Sequence, residues 1–307
     1  QMAAQGIRIV RPPIYSGPAL FINYAVLGDA FSDKRVRQAI AHALDRSQNG
    51  IVSLADSGIG VQYMTGMSDN LLPSWVEPSA MEQFNQYEFN RDRATELLTE
   101  VGWTQDGEGR WVLPDGTPTS FELIFPAEFA DWSASGQDFA NQLTDFGIEI
   151  VPRAVTFTQQ AEDVLNGRFQ LAIRGWGSST NPHPHFSYTA NLFTNNKVGS
   201  QDATVGMSYP LVQETEVVGQ VDLQQLTLDA AAGLDQTQQV ETLTTLALAF
   251  NELLPIVPFF ERYGNNPALE GVRVESWPAD DDPIYQNSPY ADGIPDILML
   301  TGVLQPV

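Results

Sequence analysis

The sequence predicts an α/β fold, because segments of helical period alternate with short strand-like segments along most of the chain. The clearest helix begins at the cap residue Asn90 and ends at Gly102. Turn signals at 106–107 and 114–116 then lead into residues 121–125, where apolar residues alternate as in a strand. Further helix-then-strand units follow, with Gly147 and Gly167 ending their helices, so we expect a largely covered sheet.

An earlier helix is predicted from Ser32 as N-cap, with Asp33 in its first turn. Its apolar face is formed by Val36, Ile40, Ala43 and Leu44. Asp33 and Arg37 are one turn apart, so we expect an ion pair on the helix surface. Before this helix, 7–10 and 19–24 read as strands separated by a Pro12-Pro13 break.

Near the end of the chain, Asp235 with Gln238 predicts the start of a helix that Pro255 ends, and residues 256–260 read as a strand. The stretch 58–78 mixes Gly, Pro, Met and Trp without a period and is predicted to be irregular. The segment 277–307 also has little period, so we expect it to lie against another part of the protein.

Composition excludes several classes of function. The 307 residues include 15 basic and 38 acidic side chains, for a net charge of −23. Such a surface repels nucleic acid and anionic lipid. The absence of cysteine excludes disulfides, thiolate zinc sites and cysteine nucleophiles. No apolar run approaches the ~20 residues of a membrane span.

Enzyme motifs are also missing. The chain has no Gly-x-Ser-x-Gly elbow, no P-loop and no dinucleotide-binding glycine motif, and nothing indicates a cofactor. A glycosidase-like carboxylate pair remains possible by inventory alone, since acids are abundant. His183 and His185 lack neighbouring acids to complete a metal shell, so an ordinary histidine pair is the better interpretation and no metal site is predicted.

Four stretches, taken in order, resemble the family 5 extracellular solute-binding proteins, which include oligopeptide- and dipeptide-binding proteins. The strongest is FSDKRVRQAIAHALDR at 31–46. The second runs from Ala94 to Gly102-Trp103 and on to the Asp115–Pro118 turn, and the third from Gly147 to Gly175-Trp176. The fourth is NELLPIVP at 251–258.

The resemblance implies a periplasmic-binding-protein-like fold of type II, in which two lobes joined by crossing strands trap a ligand between them. It implies the non-catalytic substrate-binding component of an ABC importer, which delivers a peptide or similar solute to a permease. We expect an exported monomer, in the periplasm or on the outer face of the membrane, with a lipid anchor as one possibility. Residues 1–22 are assigned to a crossover from a first lobe, 23–264 to the second lobe and 265–307 to a return toward the first; the rest of the first lobe is expected in a longer protein.

We place the ligand at the segment that follows the strand ending near Gly175, because loops at the carboxyl ends of strands favour ligands in α/β sheets. Peptide-binding relatives typically have an aspartate just after the Gly-Trp pair, to meet the ammonium group. This chain has neutral groups there, which puts a free peptide N-terminus in doubt and suits a sugar. The segment contributes Trp176, Gly177, Ser178, Ser179, Thr180 and Asn181.

Four side chains outside this segment are further ligand candidates: Tyr188, Asn23, Tyr24 and Trp75. Tyr188, like Trp176 within the segment, is a candidate for stacking on a ligand, with packing in the core as the alternative. Asn23 and Tyr24 end an early strand where the crossover between lobes is expected. Trp75 lies in the irregular stretch and is a candidate cleft aromatic. The alternatives to a peptide importer are an oligosaccharide-binding member of the same family, a ligand-sensing or chaperone-like domain, and an acidic hydrolase.

Overall fold

The computed structural model describes residues 5–179, 181–196, 206–287 and 294–307. The strands are β1 (Ile7–Val10), β2 (Ser16–Ile22), β3 (Gly58–Gly60), β4 (Thr104–Gln105), β5 (Trp111–Val112), β6 (Ser120–Pro126), β7 (Glu149–Val155), β8 (Leu171–Gly177), β9 (Val212–Thr215), β10 (Gly219–Asp222), β11 (Val257–Pro258), β12 (Phe260–Arg262) and β13 (Asn266–Leu269). The α-helices are α1 (Tyr24–Ser32), α2 (Lys34–Ala43), α3 (Arg46–Leu54), α4 (Leu72–Trp75), α5 (Arg91–Glu100), α6 (Ala130–Asp145), α7 (Phe157–Leu165), α8 (Pro184–Tyr188), α9 (Leu223–Asp229), α10 (Gln236–Leu253) and α11 (Ile294–Leu300). A π-helical turn at Thr189–Thr194 follows α8.

The centre of the protein is a five-stranded mixed sheet with the order β11-β2-β8-β6-β7. β6 runs parallel to both β7 and β8, whereas β2 is antiparallel to β8 and to β11. Two helical crossovers connect the parallel strands, α6 from β6 to β7 and α7 from β7 to β8. Helices alternating with strands in this way confirm the predicted α/β class.

One face of the sheet packs against α6. Leu123 and Phe125 of β6 and Ile173 of β8 point to this face, because alternate residues of a strand share a side. Gly136 allows α6 to approach closely, since a Cβ at this position would lie 2.6 Å from the Phe125 ring. Phe139, also on α6, stacks on Phe259 at 5.2 Å between ring centres, which extends the core toward β11.

A single buried arginine joins three helices. Arg37 of α2 is 1% exposed, and its guanidinium donates to the carbonyls of Phe31 and Ser32 at 2.6 and 2.9 Å. It also donates to the carbonyls of Leu253 and Leu254 at 2.6–3.0 Å. These carbonyls end α1 and α10, where a helix has unpaired acceptors and a partial negative charge. Arg37 therefore satisfies two helix ends at once.

Arg46 has a similar role at the start of α3. It is 8% exposed and donates to the carbonyls of Val61, Tyr87, Gln86 and Ala41 at 2.7–3.1 Å. Burial lowers the pKa of Arg46 to about 10. The two arginines of the sequence stretch 31–46 thus hold distant backbone segments together, and neither depends on a carboxylate for its hydrogen bonds.

Two expectations for the first helix are wrong. Ser32 ends α1, and the N-cap of α2 is Asp33, whose carboxylate accepts from the backbone N–H of Arg35 at 2.9 Å. The same carboxylate pairs with the Arg35 side chain at 2.7 Å, and the expected Asp33–Arg37 pair does not form. The reason is burial: Arg37 faces the interior, where the helix-end carbonyls occupy its donors. In addition, the stretch 58–78 is not wholly irregular, since it contains β3 and α4.

Hydrophobic packing divides the described chain into two clusters. The larger extends from Tyr15 to Phe260 and includes the sheet, and the smaller contains Val10, Ala268, Tyr285, Ile294 and Leu298. β1 pairs with β13 beside the smaller cluster. β2 is an inner strand of the main sheet. The predicted division of the chain at residues 22 and 264 stays a prediction.

We expect Arg37→Met to lower the free energy of unfolding by about 3–5 kcal/mol, because three buried carbonyls and the partly buried one of Ser32 lose their donor. Urea denaturation followed by circular dichroism measures this loss. Arg35→Met is the matched control on the same helix: it removes an ion pair that is 40% exposed, and its loss is expected to stay under ~1 kcal/mol. Equal losses for the two variants would contradict the assignment.

Candidate functional site

The strand order creates a topological switch point between β6 and β8, and the edge of the sheet at this point is called the crevice below. From β6 the chain moves outward to β7 and then returns past β6 to β8, so the connections leave β6 and β8 in opposite directions. The ladder between these strands pairs Leu123 with Leu171 and Ile124 with Ala172. Beyond those pairs, β6 continues to Pro126 and β8 to Gly177. Ligands of open α/β sheets bind outside the carboxyl ends of strands at such a switch point.

The loop after β8 is held at this edge by its backbone. Gly177 has φ +75°, and a Cβ there would lie 2.3 Å from the Tyr15 carbonyl. Its N–H donates to the Asn191 side chain, and the Ser178 N–H donates to the Tyr15 carbonyl, both at 3.2 Å. Ser178, Ser179 and Asn181 are partly exposed, whereas Thr180 lies outside the described residues. The predicted loop therefore presents neutral polar groups at the carboxyl end of β8.

Trp75 lies beside this loop, as the structure brings its ring to 4.4 Å from the ring of His183. His183 Nδ1 accepts from the His185 N–H at 3.2 Å, and His185 Nδ1 lies 2.7 Å from the Thr227 carbonyl. The described residues include no group of three or more His, Asp or Glu side chains suited to a metal ion. The two histidines therefore shape the loop through its own hydrogen bonds.

Trp176 and Tyr188 point into the protein interior. Trp176 is 1% exposed and donates from Nε1 to the Phe260 carbonyl at 3.2 Å. Tyr188 is fully buried, and its hydroxyl donates to the Thr65 carbonyl at 2.8 Å. Of the two readings given for these aromatic rings, the structure therefore places both in the core, where they support the loop from beneath.

Asn23 and Tyr24 lie at the far end of the sheet from this loop. Because β2 and β8 are antiparallel, Ser16 pairs with Gly177 whereas Ile22 pairs with Leu171. Six residues of strand separate these ends by roughly 20 Å. Asn23 caps α1 and donates to the carbonyls of 167 and 169 at 2.9 and 2.8 Å, and the Tyr24 hydroxyl donates to the carbonyl of 255 at 2.7 Å. The structure does not bring these two side chains to the candidate site.

An aromatic wall that the sequence analysis missed borders the crevice. It consists of Phe129, Trp132 and Phe157, with ring centres 5.6 Å apart for Phe129–Trp132 and 4.9 Å for Phe129–Phe157. Phe129 and Phe157 are 37% and 40% exposed, which is unusual for such large apolar groups. Glu128 fixes the start of α7 by accepting from the Phe157 N–H at 2.9 Å. Phe129 follows the predicted strand 121–125, whereas Phe157 follows β7, whose length to Val155 exceeds the predicted strand 148–150.

The segment before β2, the residues before α4 and β12 meet beside the loop at a buried carboxyl group. Glu261 accepts from the Tyr15 N–H at 3.1 Å, from the Ser68 hydroxyl at 2.7 Å and from the Asn70 amide at 3.1 Å. Burial, reinforced by the nearby charge of Asp69, raises the pKa of Glu261 to about 8. A neutral carboxyl group thus links the segment before β2 with β12.

A separate cavity lies away from this edge of the sheet. It measures about 650 Å³ and is lined by side chains of α2, α5 and the hairpin between β9 and β10. Its cations are already paired, Lys34 with Glu216 and Glu252, Arg35 with Asp33, and Arg93 with Glu96 and Glu100. We favour the crevice over this cavity because the crevice lies at the strand ends and carries exposed aromatic rings.

Comparison with known proteins identifies relatives that bind solutes. A model of the middle region of bacterial extracellular solute-binding proteins, family 5, matches residues 2–198. The oligopeptide-binding protein AppA of Bacillus subtilis (strain 168) is 32% identical over 171 residues, which are 53% of this chain and 29% of AppA. The chain thus spans less than a third of this curated relative.

Solved structures share the fold over nearly the whole chain. The periplasmic oligopeptide-binding protein of a Thermotoga maritima oligopeptide ABC transporter has a TM-score of 0.71 at 19% identity, covering 99% of this chain and 56% of that chain. The mannohexaose-bound structure of the same Thermotoga maritima protein has a TM-score of 0.62 at 18% identity, covering 97% of this chain and 52% of that chain. AppA in complex with a nonapeptide has a TM-score of 0.66 at 23% identity, covering 90% of this chain and 50% of that chain.

Among the described residues, no helix is both long and apolar enough to cross a membrane.

Gly177→Ala is expected to lower the free energy of unfolding by about 3 kcal/mol, because the new Cβ meets both an unfavourable φ and the Tyr15 carbonyl. Gly219→Ala is the matched control, since Gly219 has φ +73° but nothing within 4 Å of its Cβ position. It should lose only the ~1 kcal/mol of left-handed backbone strain. Urea denaturation of both variants separates the steric cost from the conformational one, and equal losses would argue against close packing at Gly177.

Glu261 predicts a specific pH dependence of stability. Its pKa is about 8 in the folded state against an ordinary value of 4.5, so the folded state binds the proton more tightly than the unfolded state. The contribution of this proton to the free energy of unfolding is therefore complete below about pH 4.5 and is lost as the pH rises through about 8. Between these limits, wild type should lose up to about 1.4 kcal/mol per pH unit relative to Glu261→Gln. Urea denaturation of both proteins at several pH values measures the difference, and parallel profiles would refute it.

Proposed function

Because the chain belongs to the bacterial extracellular solute-binding proteins of family 5, we propose that it is part of the substrate-binding component of an ABC importer. Family 5 proteins are non-catalytic transporter components, so the protein captures its solute without transforming it. We propose a peptide or similar small solute as the ligand and the importer's permease as the protein partner. Relatives named as oligopeptide-binding proteins support this assignment.

The observation that carries the proposal is the crevice at the β6–β8 switch point. It combines three features that a solute site needs: exposed aromatic rings, neutral hydrogen-bonding groups and a rigid backbone beneath them. The ligand-contacting surface that we propose consists of the aromatic wall together with Trp75, Gly177, Ser178, Ser179, Thr180 and Asn181. Trp176 and Tyr188 support this surface from the core, and Asn23 and Tyr24 do not belong to it.

We further propose that the crevice is one side of a cleft between two lobes. The larger hydrophobic cluster would form most of the second lobe, and the smaller cluster would belong with the first. Closure of the lobes over a bound solute would present a distinct surface to the permease. An exported monomer in the periplasm or on the outer face of the membrane, with or without a lipid anchor, suits this role.

Binding of an oligosaccharide is the second candidate. The Thermotoga maritima relative is described with mannohexaose bound. The hydroxyl and amide groups of Ser178, Ser179 and Asn181 suit sugar hydroxyls, and aromatic rings such as Phe129 stack on sugar faces. A ligand-sensing domain would use the same crevice, with a signalling partner in place of the permease.

We expect a thermal-shift screen of the natural gene product that contains this chain to find a solute that raises its melting temperature. A ligand at 100 times its Kd adds about 2.7 kcal/mol to the free energy of unfolding, a shift of several degrees. The screen compares short peptides with neutral and acidic oligosaccharides. Ser178→Trp, which fills the crevice, is expected to abolish the shift, whereas Thr99→Trp on the exposed face of α5 keeps it.

The outcomes separate the candidates. Shifts with peptides alone favour a peptide importer, and shifts with oligosaccharides alone favour the second candidate. If no solute of either class changes the melting temperature, or if Ser178→Trp leaves the shift intact, the proposed site is incorrect. Turnover of any bound peptide or glycoside would contradict a purely binding role.

A further inference from the structure

A short series of hydrogen bonds links the loop after β8 to α8 through His183. The Asn181 side chain accepts from the His183 N–H at 3.0 Å, and His183 Nδ1 accepts from the His185 N–H at 3.2 Å. His183 is therefore the N-cap of α8, with an imidazole nitrogen in place of the usual side-chain oxygen. Its ring also lies against Trp75, which belongs to α4. The loop, α8 and α4 thus meet at one side chain.

The hydrogen bonds determine which nitrogen of each imidazole carries the proton. A backbone N–H can only donate, so His183 Nδ1 is unprotonated and the neutral ring carries its proton on Nε2. A carbonyl can only accept, so His185 Nδ1, which lies 2.7 Å from the Thr227 carbonyl, carries the proton of its ring. His185 Nε2 then accepts from the Thr189 hydroxyl at 3.4 Å. The two rings are therefore neutral and have opposite tautomers.

Protonation has different consequences for the two rings. An imidazolium donates from both nitrogens, so a proton on His183 Nδ1 would face the His185 N–H and abolish the cap. His185 tolerates a proton on Nε2, because the Thr189 hydroxyl can turn and accept from it. His183 is partly exposed, so protons from solvent can reach it. Of the two histidines, His183 is therefore the one whose hydrogen bond depends on pH.

The surroundings of His183 favour its neutral form. Three groups face its ring: the Trp75 ring of α4, the Gln239 amide of α10 and the His185 imidazole of α8, of which the last is titratable. In the part of the chain that the structure describes, no carboxylate forms an ion pair with either histidine. Burial lowers the pKa of His183 below its ordinary value of 6.5, so the unfolded chain binds the proton more tightly than the folded protein does. The stabilisation is thus complete above about pH 6.5 and is lost as the pH falls through the folded-state pKa.

The cap lies between two anchored parts of the crevice. α8 leads directly into the π-helical turn Thr189–Thr194, in which the Asn191 side chain accepts from the Gly177 N–H. At the other end of the loop, Asn181 is bonded to the backbone of His183 itself. Loss of the cap would therefore loosen the segment that holds both ends of this loop, and it would also withdraw the imidazole from the Trp75 ring.

We propose that His183 is a pH-sensitive positioning residue of the crevice: its neutral imidazole holds the loop after β8 and Trp75 in the arrangement that binds solute, and its protonation releases them. The affinity for solute therefore falls in mildly acidic solution. His183 acts through the loop and Trp75 and does not itself contact the solute. This inference rests on the proposed solute-binding function.

The test is isothermal titration calorimetry of the natural gene product at about pH 7.5 and about pH 5.5, on either side of the ordinary histidine pKa. The probe is the solute that gives the largest shift in the thermal-shift screen. Wild type is expected to bind it roughly 3- to 10-fold less tightly at the lower pH, the effect of losing a helix cap. In His183→Asn an amide oxygen replaces Nδ1 as the acceptor and does not titrate, so its two affinities should agree within about twofold. His42→Asn is the matched control and should keep the wild-type ratio, because burial also lowers the pKa of His42 but this residue lies on α2.

Nitrogen-15 NMR of the imidazole rings provides a readout that needs no solute. The His183 signals are those that disappear in His183→Asn, and we expect them to show the Nε2–H tautomer at neutral pH. The Nδ1–H tautomer, or equal ratios of the two affinities in wild type and His183→Asn, would overturn the inference while the proposed function stands. If neither peptides nor oligosaccharides bind at either pH, the proposed function fails and this inference fails with it.

Discussion

The fold depends on how the buried guanidinium of Arg37 satisfies two helix ends. α1 follows β2 directly and α10 leads into β11, and these two strands are neighbours in the sheet. The carbonyls of Phe31, Leu253 and Leu254 that end α1 and α10 are buried, so they require donors from the protein. Arg37 of α2 supplies these donors to the carbonyls at both helix ends. The path into the sheet and the path back to it are therefore fixed by the same side chain.

The candidate site contains several locally unfavourable features, and the surrounding core makes them tolerable. Gly177 has a left-handed backbone, and a Cβ at Gly17 would lie 1.9 Å from the Phe260 carbonyl. Glu261 is held neutral by burial between the crossover segments. Such strain persists only where the rest of the structure determines it, and in folded proteins it clusters at binding and catalytic sites. Its concentration at one sheet edge agrees with the position chosen for the ligand.

Local patterns made much of the fold predictable from the sequence. Asn90 caps α5 by accepting from the Arg93 N–H, Gly102 follows that helix with φ +86°, and Asp235 caps α10, all as expected. These predictions succeeded because helix caps and the spacing of apolar residues along a helix are determined by a few residues that are adjacent in sequence. The position of the loop after β8 was likewise readable, because a strand that ends in Gly177 and small polar residues has a local signature.

Other features of the structure depend on strand direction and on contacts between distant residues. The antiparallel pairing of β2 with β8 separates Asn23 and Tyr24 from the loop after β8 by the length of the sheet, so the two groups of candidate ligand residues lie at opposite ends of it. The partners of Arg37 include carbonyls 216 and 217 residues away, which no helical spacing can reveal.

Two paired segments, 7–14 and 262–269, connect the regions that contain the two hydrophobic clusters. Beyond the ladder of β1 with β13, the Ile14 N–H donates to the Arg262 carbonyl and the Gly264 N–H to the Pro12 carbonyl, at 2.9 and 2.8 Å. The connection is therefore a double-stranded strap, not two independent tethers. Such a strap flexes across its plane, but sliding one strand along the other would break these bonds. The bonds between these two segments therefore resist shear along their length.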